Sequence, residues 1–176
     1  MIPQAHKESL VTEEGRARRI LFVCTGNTCR SPMAAALLND MCRAQKSASS
    51  QGAPPPAPTV IAASAGLCAM DGDPITFAAA QVLEEAGIAS TPENNYRAHR
   101  ARTVTKEMIE GADLVIGMTA RHALELTVRF PEHAAKISAF PMDISDPFGG
   151  DRSLYAMCLM QLRYGITLLL AGGAQE

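Results

Sequence analysis

The chain has 176 residues, 47% hydrophobic and 19% charged, a folded globular composition with room for one domain and hardly for two. With 16 Lys plus Arg against 18 Asp plus Glu, the net charge of -2 speaks against a protein that coats nucleic acid or an anionic membrane. No apolar run reaches the roughly 18 residues of a membrane span, and the longest, Ile166 to Ala171, is broken by Thr167.

Residues 1–18 are polar, without a usable period or an apolar signal region, and read as an extension to a single domain over 19–174. Arg19 to Cys24 is a short apolar run ending at a turn, the pattern of a strand buried on both faces. A helix follows, with Ser31 suited to the cap and Pro32 to the first helical position. Its face carries Ala34, Leu37, Leu38 and Met41. Lys46 to Pro58 is rich in Ser and Pro and reads as a loop, stiffened at Pro54-Pro55-Pro56.

Thr59 to Ser64 predicts a second strand, and Ile75 to Ala86 a helix ended by Gly87. Thr105 caps a short helix ending near Gly111. Asp113 to Met118 is a third strand, and Thr119 to Phe130 a helix stopped by Pro131. Lys136 to Phe140 is a short fourth strand. Ser153 to Ala171 is a long terminal helix, with Leu154, Met157, Leu162, Ile166 and Leu169 among its apolar positions and Met160 nearby; we assign these to a core face. Alternating strands and helices imply a parallel sheet with helices on both faces.

Chemistry concentrates in Cys24-Thr25-Gly26-Asn27-Thr28-Cys29-Arg30-Ser31. The segment lies where a strand ends and a helix begins, the usual ligand position in open α/β sheets. Gly26 and Asn27 tolerate backbone angles that turn successive N–H groups inward as an anion nest. The helix adds its positive end and Arg30 a fork of donors matched to a phosphoryl group. At the focus, the thiolate of Cys24 is favoured as a nucleophile, with Ser31 in hydrogen-bonding reach.

This segment resembles the signature of the low-molecular-weight protein phosphatase family. The resemblance extends from about Arg19 to Ala171 and includes Ser64-Ala65-Gly66 and the His99 to Thr103 stretch. It implies a three-layer, flavodoxin-like α/β sandwich with strand order 2-1-3-4. It also implies that Asp146, in Asp146-Pro147-Phe148-Gly149-Gly150, is a general acid that then activates water on a phosphocysteine. Asp143 competes for that role but lacks the following Pro. Such a mechanism needs no metal or other cofactor.

Thr28 before Cys29, and a single aromatic, Phe148, after Asp-Pro, look like the bacterial protein-arginine phosphatase branch. That resemblance implies a Thr28 contact to the guanidinium of phosphoarginine. Phosphotyrosine hydrolysis by the same residues is the runner-up. Arsenate reduction lacks an evident relay cysteine pair, and a silent phosphate-binding or redox module would not need both Arg30 and Asp146. Residues 24–31 and Phe148 are thus the expected substrate contacts.

The odd count of five cysteines suits a reducing cytoplasm. Cys24 and Cys29 find no partner pair for a zinc site. Cys29 either packs or serves as a resolving thiol for Cys24; Cys42, Cys68 and Cys158 are read as fillers. His99, Arg100 and Arg102 read as a solvated basic loop, and His122 and His133 as surface residues. The expected partner is a phosphorylated protein, with no nucleic acid or membrane, and the expected state is a monomer or weak dimer.

Overall fold

The computed structural model describes residues 17–49 and 60–172. Strands β1 (Arg18–Cys24), β2 (Val60–Gly66), β3 (Leu114–Gly117) and β4 (Ile137–Ala139) form a sheet of order 2-1-3-4. Each pairing is parallel, with Cys24 level with Gly66 and Val23 with Gly117. The order and the parallel sense agree with the alternation in the sequence. The extension assigned to 1–18 and the Pro-rich segment lie outside the described residues, except that Arg18 already belongs to β1 and that helix continues over residues 46–49.

The helices are α1 (Arg30–Ser49), α2 (Phe77–Glu85), α3 (Lys106–Glu110), α4 (Ala120–Arg129) and α5 (Arg152–Gly172). Alternate residues of β1 feed two cores. Ile20, Phe22 and Cys24 join residues of α1, α2 and α5. Leu21 and Val23 join Ile109 of α3 and Leu126 of α4. The sheet is therefore buried on both faces, which is why β1 is continuously apolar. Each fully buried large side chain, such as Phe22 or Leu37, contributes about 1.5–3 kcal/mol through removal from water.

Several boundaries differ from the sequence expectation. Helix α1 begins at Arg30, so Ser31 and Pro32 lie inside its first turn; Cys29 O accepts from Met33 N–H at 3.1 Å. The Ser31 hydroxyl is drawn into the site instead of capping. At its other end α1 continues to Ser49, because Gln45 to Ser49 contain no Gly or Pro to stop it. Helix α2 starts only at Phe77, because the Thr76 hydroxyl caps it by accepting from Ala79 N–H.

Helix α5 corrects a second expectation. Its buried stripe is Tyr155, Cys158, Leu159, Leu162 and Ile166, whereas Leu154, Met157 and Met160 are exposed. This helix is long and apolar enough to cross a membrane by length and composition alone. Its buried stripe packs in the larger core instead.

Strand order reverses direction between β1 and β3. The crevice at their C-terminal ends is the topological switch point, where such sheets hold ligands.

Candidate active site

The segment from Cys24 to Ser31 turns from the end of β1 into α1. Asn27 holds the left-handed conformation at φ 57°, which Asn tolerates better than most residues. It is fully buried and saturated with partners. Its Nδ2 donates to Ser31 Oγ and Ser64 Oγ, each at 3.0 Å, and its Oδ1 accepts from Arg102 N–H at 3.0 Å. Its carbonyl receives His99 Nε2 at 2.7 Å. Burial, outweighing that hydrogen bond, lowers the His99 pKa below the ordinary histidine value. The neutral ring must then carry its proton on Nε2 to donate to a carbonyl. Gly66 permits the loop to lie against β2, since a Cβ there would meet Thr25 O at 2.6 Å.

Two donors converge on Cys24. Asn27 N–H reaches Sγ at 3.3 Å and Ser31 Oγ lies 3.0 Å from it. Ser31 Oγ also lies 3.2 Å from Ala65 O, so its single hydrogen has two acceptors to serve. Arg30 is buried, and both of its terminal nitrogens are engaged. Nη1 donates to Ile144 O at 3.2 Å, and Nη2 pairs with Asp146 Oδ2 at 2.6 Å. Nε is buried without a hydrogen-bond partner. A buried unpaired donor on a cation is expensive unless an anion accepts from it.

Asp146 extends over the loop from the segment after β4. Its Oδ1 accepts from Phe148 N–H at 3.3 Å, which fixes the carboxylate while leaving it about half exposed. Asp143, the competitor, is committed elsewhere: its Oδ1 accepts from Ala120 N–H at 2.8 Å at the start of α4. A cavity of about 240 Å³ is enclosed by residues 24–30, Cys68, Met70, Asp73, Asp146 and Phe148. The ten residues singled out from the sequence therefore meet around one place, with Ser31 just beneath the cavity against Cys24, but the Cys29 thiol expected among the substrate contacts is engaged elsewhere.

Cys29 points the other way, towards α5, with Tyr155 Oη at 3.4 Å and Thr76 Oγ1 at 3.6 Å. Burial, and then the contact with Cys29, pushes the Tyr155 pKa up to about 12. Cys158 is buried in the same core, and burial raises its thiol pKa to about 12. Thr28 is half-buried at the cavity wall, anchored by its carbonyl to Thr76 N–H at 3.0 Å.

Two expectations are overturned. The stretch from His99 to Arg102 is not merely a solvated loop, because His99 and the Arg102 backbone clamp Asn27 from behind. His122 is not a surface residue. It is 7% exposed, with Nε2 3.0 Å from Thr25 Oγ1 and Nδ1 2.9 Å from Thr119 Oγ1. The contacts of His99 with Asn27 and of His122 with Thr25 bridge distant parts of the chain, so local spacing gave little sign of them.

This constellation can hold a tetrahedral oxyanion over a cysteine sulfur with a carboxylate alongside. The family described as low molecular weight phosphotyrosine protein phosphatase matches residues 19–175. A protein-arginine-phosphatase of Geobacillus stearothermophilus is 40% identical over 144 residues, covering 78% of this chain and 83% of the relative. A low molecular weight protein tyrosine phosphatase from T. tengcongensis has a solved structure of TM-score 0.75 at 34% identity, covering 88% of this chain and 99% of that one. A YwlE arginine phosphatase mutant with a phosphorylated active site serine matches with TM-score 0.70 and 31% identity, over 87% of this chain and 93% of that one.

Proposed function

The chain belongs to the low-molecular-weight phosphotyrosine protein phosphatase family, and on that premise we propose that it removes phosphate from phosphoarginine side chains of proteins through a phosphocysteine at Cys24. The observation that carries the reading is the convergence on one cavity of Cys24, Asp146 and buried Arg30, whose Nε is left without a protein partner.

In the first step Cys24 Sγ attacks phosphorus, the P–N bond breaks, and Asp146 delivers a proton to the departing guanidine nitrogen. Arg30 Nε and the inward loop amides bind the equatorial oxygens as their charge develops. In the second step Asp146 takes a proton from water, the water oxygen bonds to phosphorus, and the S–P bond breaks. Ser31 supports this exchange, since its hydrogen can turn from Ala65 O to the sulfur as the latter becomes a thiolate. The Asp146–Arg30 pair keeps the acid beside the cation that holds the phosphoryl group.

Thr28 places a hydroxyl on the cavity wall, and Asp146 adds an anionic group that can pair with a substrate guanidinium. Phe148, 70% exposed at the mouth, provides one aromatic face. That face keeps phosphotyrosine as the second reading, since a phenol ring could stack there. None of the described cysteines is joined in a disulfide, which suits the reducing cytoplasm we assign to the enzyme.

The test is phosphate release from a phosphoarginine peptide and a phosphotyrosine peptide side by side, with Cys24→Ala as the blank. Preference for phosphoarginine, lost in Thr28→Ile, is the expected result. Preference for phosphotyrosine would keep the mechanism and discard the Thr28 assignment.

A further inference from the structure

The Thr25–His122–Thr119 chain joins the catalytic loop to the start of α4, and the steps above leave it without a role. Its hydrogens can be traced. Thr119 Oγ1 accepts the His122 backbone N–H at 3.2 Å as the cap of α4. The hydroxyl hydrogen of Thr119 is then free to donate to His122 Nδ1 at 2.9 Å. A neutral ring that accepts at Nδ1 carries its proton on Nε2, which donates to Thr25 Oγ1 at 3.0 Å. The opposite tautomer would load Thr119 Oγ1 with two donors and leave its own hydrogen with no protein acceptor among the described residues. Burial first, and then the charge of Arg30, lowers the His122 pKa, in keeping with a neutral ring.

Arg30 Nη2 also donates weakly to Thr25 Oγ1 at 3.5 Å. The Thr25 oxygen thus receives two N–H donors, so its own hydrogen must be given away. Thr25 is exposed and lines the cavity beside Cys24, Arg30 and Asp146. We infer that His122 is a positioning residue that orients the Thr25 hydroxyl as a hydrogen-bond donor to the substrate phosphoryl group, adding a side-chain donor to those of the loop amides and Arg30. This inference rests on the phosphatase reading of the cavity. The charged groups that face His122 are Arg30, Glu125, Asp146 and Arg121.

The experiment compares Thr25→Val, His122→Leu, His122→Gln and the Thr25→Val/His122→Leu double variant, in kcat/KM on the peptide substrate and in affinity for inorganic phosphate by calorimetry. One lost hydrogen bond to a charged group corresponds to about a tenfold fall in kcat/KM for Thr25→Val. His122→Leu falls several-fold, the double variant is no worse than Thr25→Val, and His122→Gln, whose amide keeps an N–H donor, recovers most of the loss. Inorganic phosphate binds Thr25→Val more weakly than the wild type. Wild-type kcat/KM in Thr25→Val, or losses that multiply in the double variant, would overturn the inference. If no peptide shows Cys24-dependent turnover, the phosphatase reading fails. The phosphate titration then decides the donor role, and equal affinity in wild type and Thr25→Val overturns it.

Discussion

Replacing Asn27 by Ala tests whether the loop is held by the network beneath it. The variant removes two donor bonds to Ser31 and Ser64 and one acceptor bond from Arg102 N–H. At about 0.5–1.5 kcal/mol net for each buried neutral bond, the loss is roughly 2–4 kcal/mol. Alanine at φ 57° adds on the order of 1 kcal/mol of left-handed strain that glycine does not suffer. The expected destabilisation is therefore about 3–5 kcal/mol for Asn27→Ala and about 1 kcal/mol less for Asn27→Gly. Urea denaturation at neutral pH measures both, and phosphate release measures the accompanying loss of activity. An Asn27→Ala variant within about 0.5 kcal/mol of wild type would refute the network argument. Equal stability of the two variants would refute the strain argument alone.

Asp146→Asn should lower kcat/KM on phosphoarginine peptide by roughly a hundredfold or more. The fall should be smaller on p-nitrophenyl phosphate, whose leaving group needs no proton; equal losses on the two substrates would argue against an acid role. His99 and His122 both have folded-state pKa values below the ordinary 6.5. Between that value and their lowered values the unfolded chain binds more protons, so stability rises with pH and is lost as pH falls below about 6.5. Denaturant midpoints at several pH values from neutral down to mildly acidic check this, and a flat profile would contradict it. Gly165→Ala places a methyl group 2.0 Å from Cε1 of buried Phe140, a clash with the ring edge. It should destabilise by about 1–3 kcal/mol without changing kcat, as thermal unfolding and a rate assay would show.

The parts of the site that a reader of the sequence could see are those packed into consecutive residues. Cys24 to Ser31 carries the nucleophile, the turn residues and the guanidinium in one stretch after a buried strand, and Asp146 is marked by the Pro147 that follows it. The parallel sheet was legible because β1 is apolar on both faces and the strands alternate with helices, whereas its order 2-1-3-4 was implied by the family resemblance. His99 and His122 were misjudged because each reaches the loop across 72 and 97 residues of chain, respectively. The one local clue was the Thr119-x-x-His122 spacing, which returns the ring of a third helical residue to its own cap. On α5 the sequence offered two apolar faces, and periodicity does not say which is inside. Leu154, Met157 and Met160 were assigned to the core, while the stripe from Tyr155 to Ile166 occupies it. Helix α1 began early because the loop carbonyl of Cys29 already serves its first turn, a backbone fact that residue type does not encode.

The central claim is that phosphate passes through the Cys24 sulfur. Rapid-quench peptide mapping of the wild-type enzyme turning over a phosphoarginine peptide tests it directly. The account predicts one added phosphoryl group on the peptide that contains Cys24, and neither adduct nor turnover in Cys24→Ala. A phosphoryl group found on another residue, or turnover that survives Cys24→Ala, would contradict it.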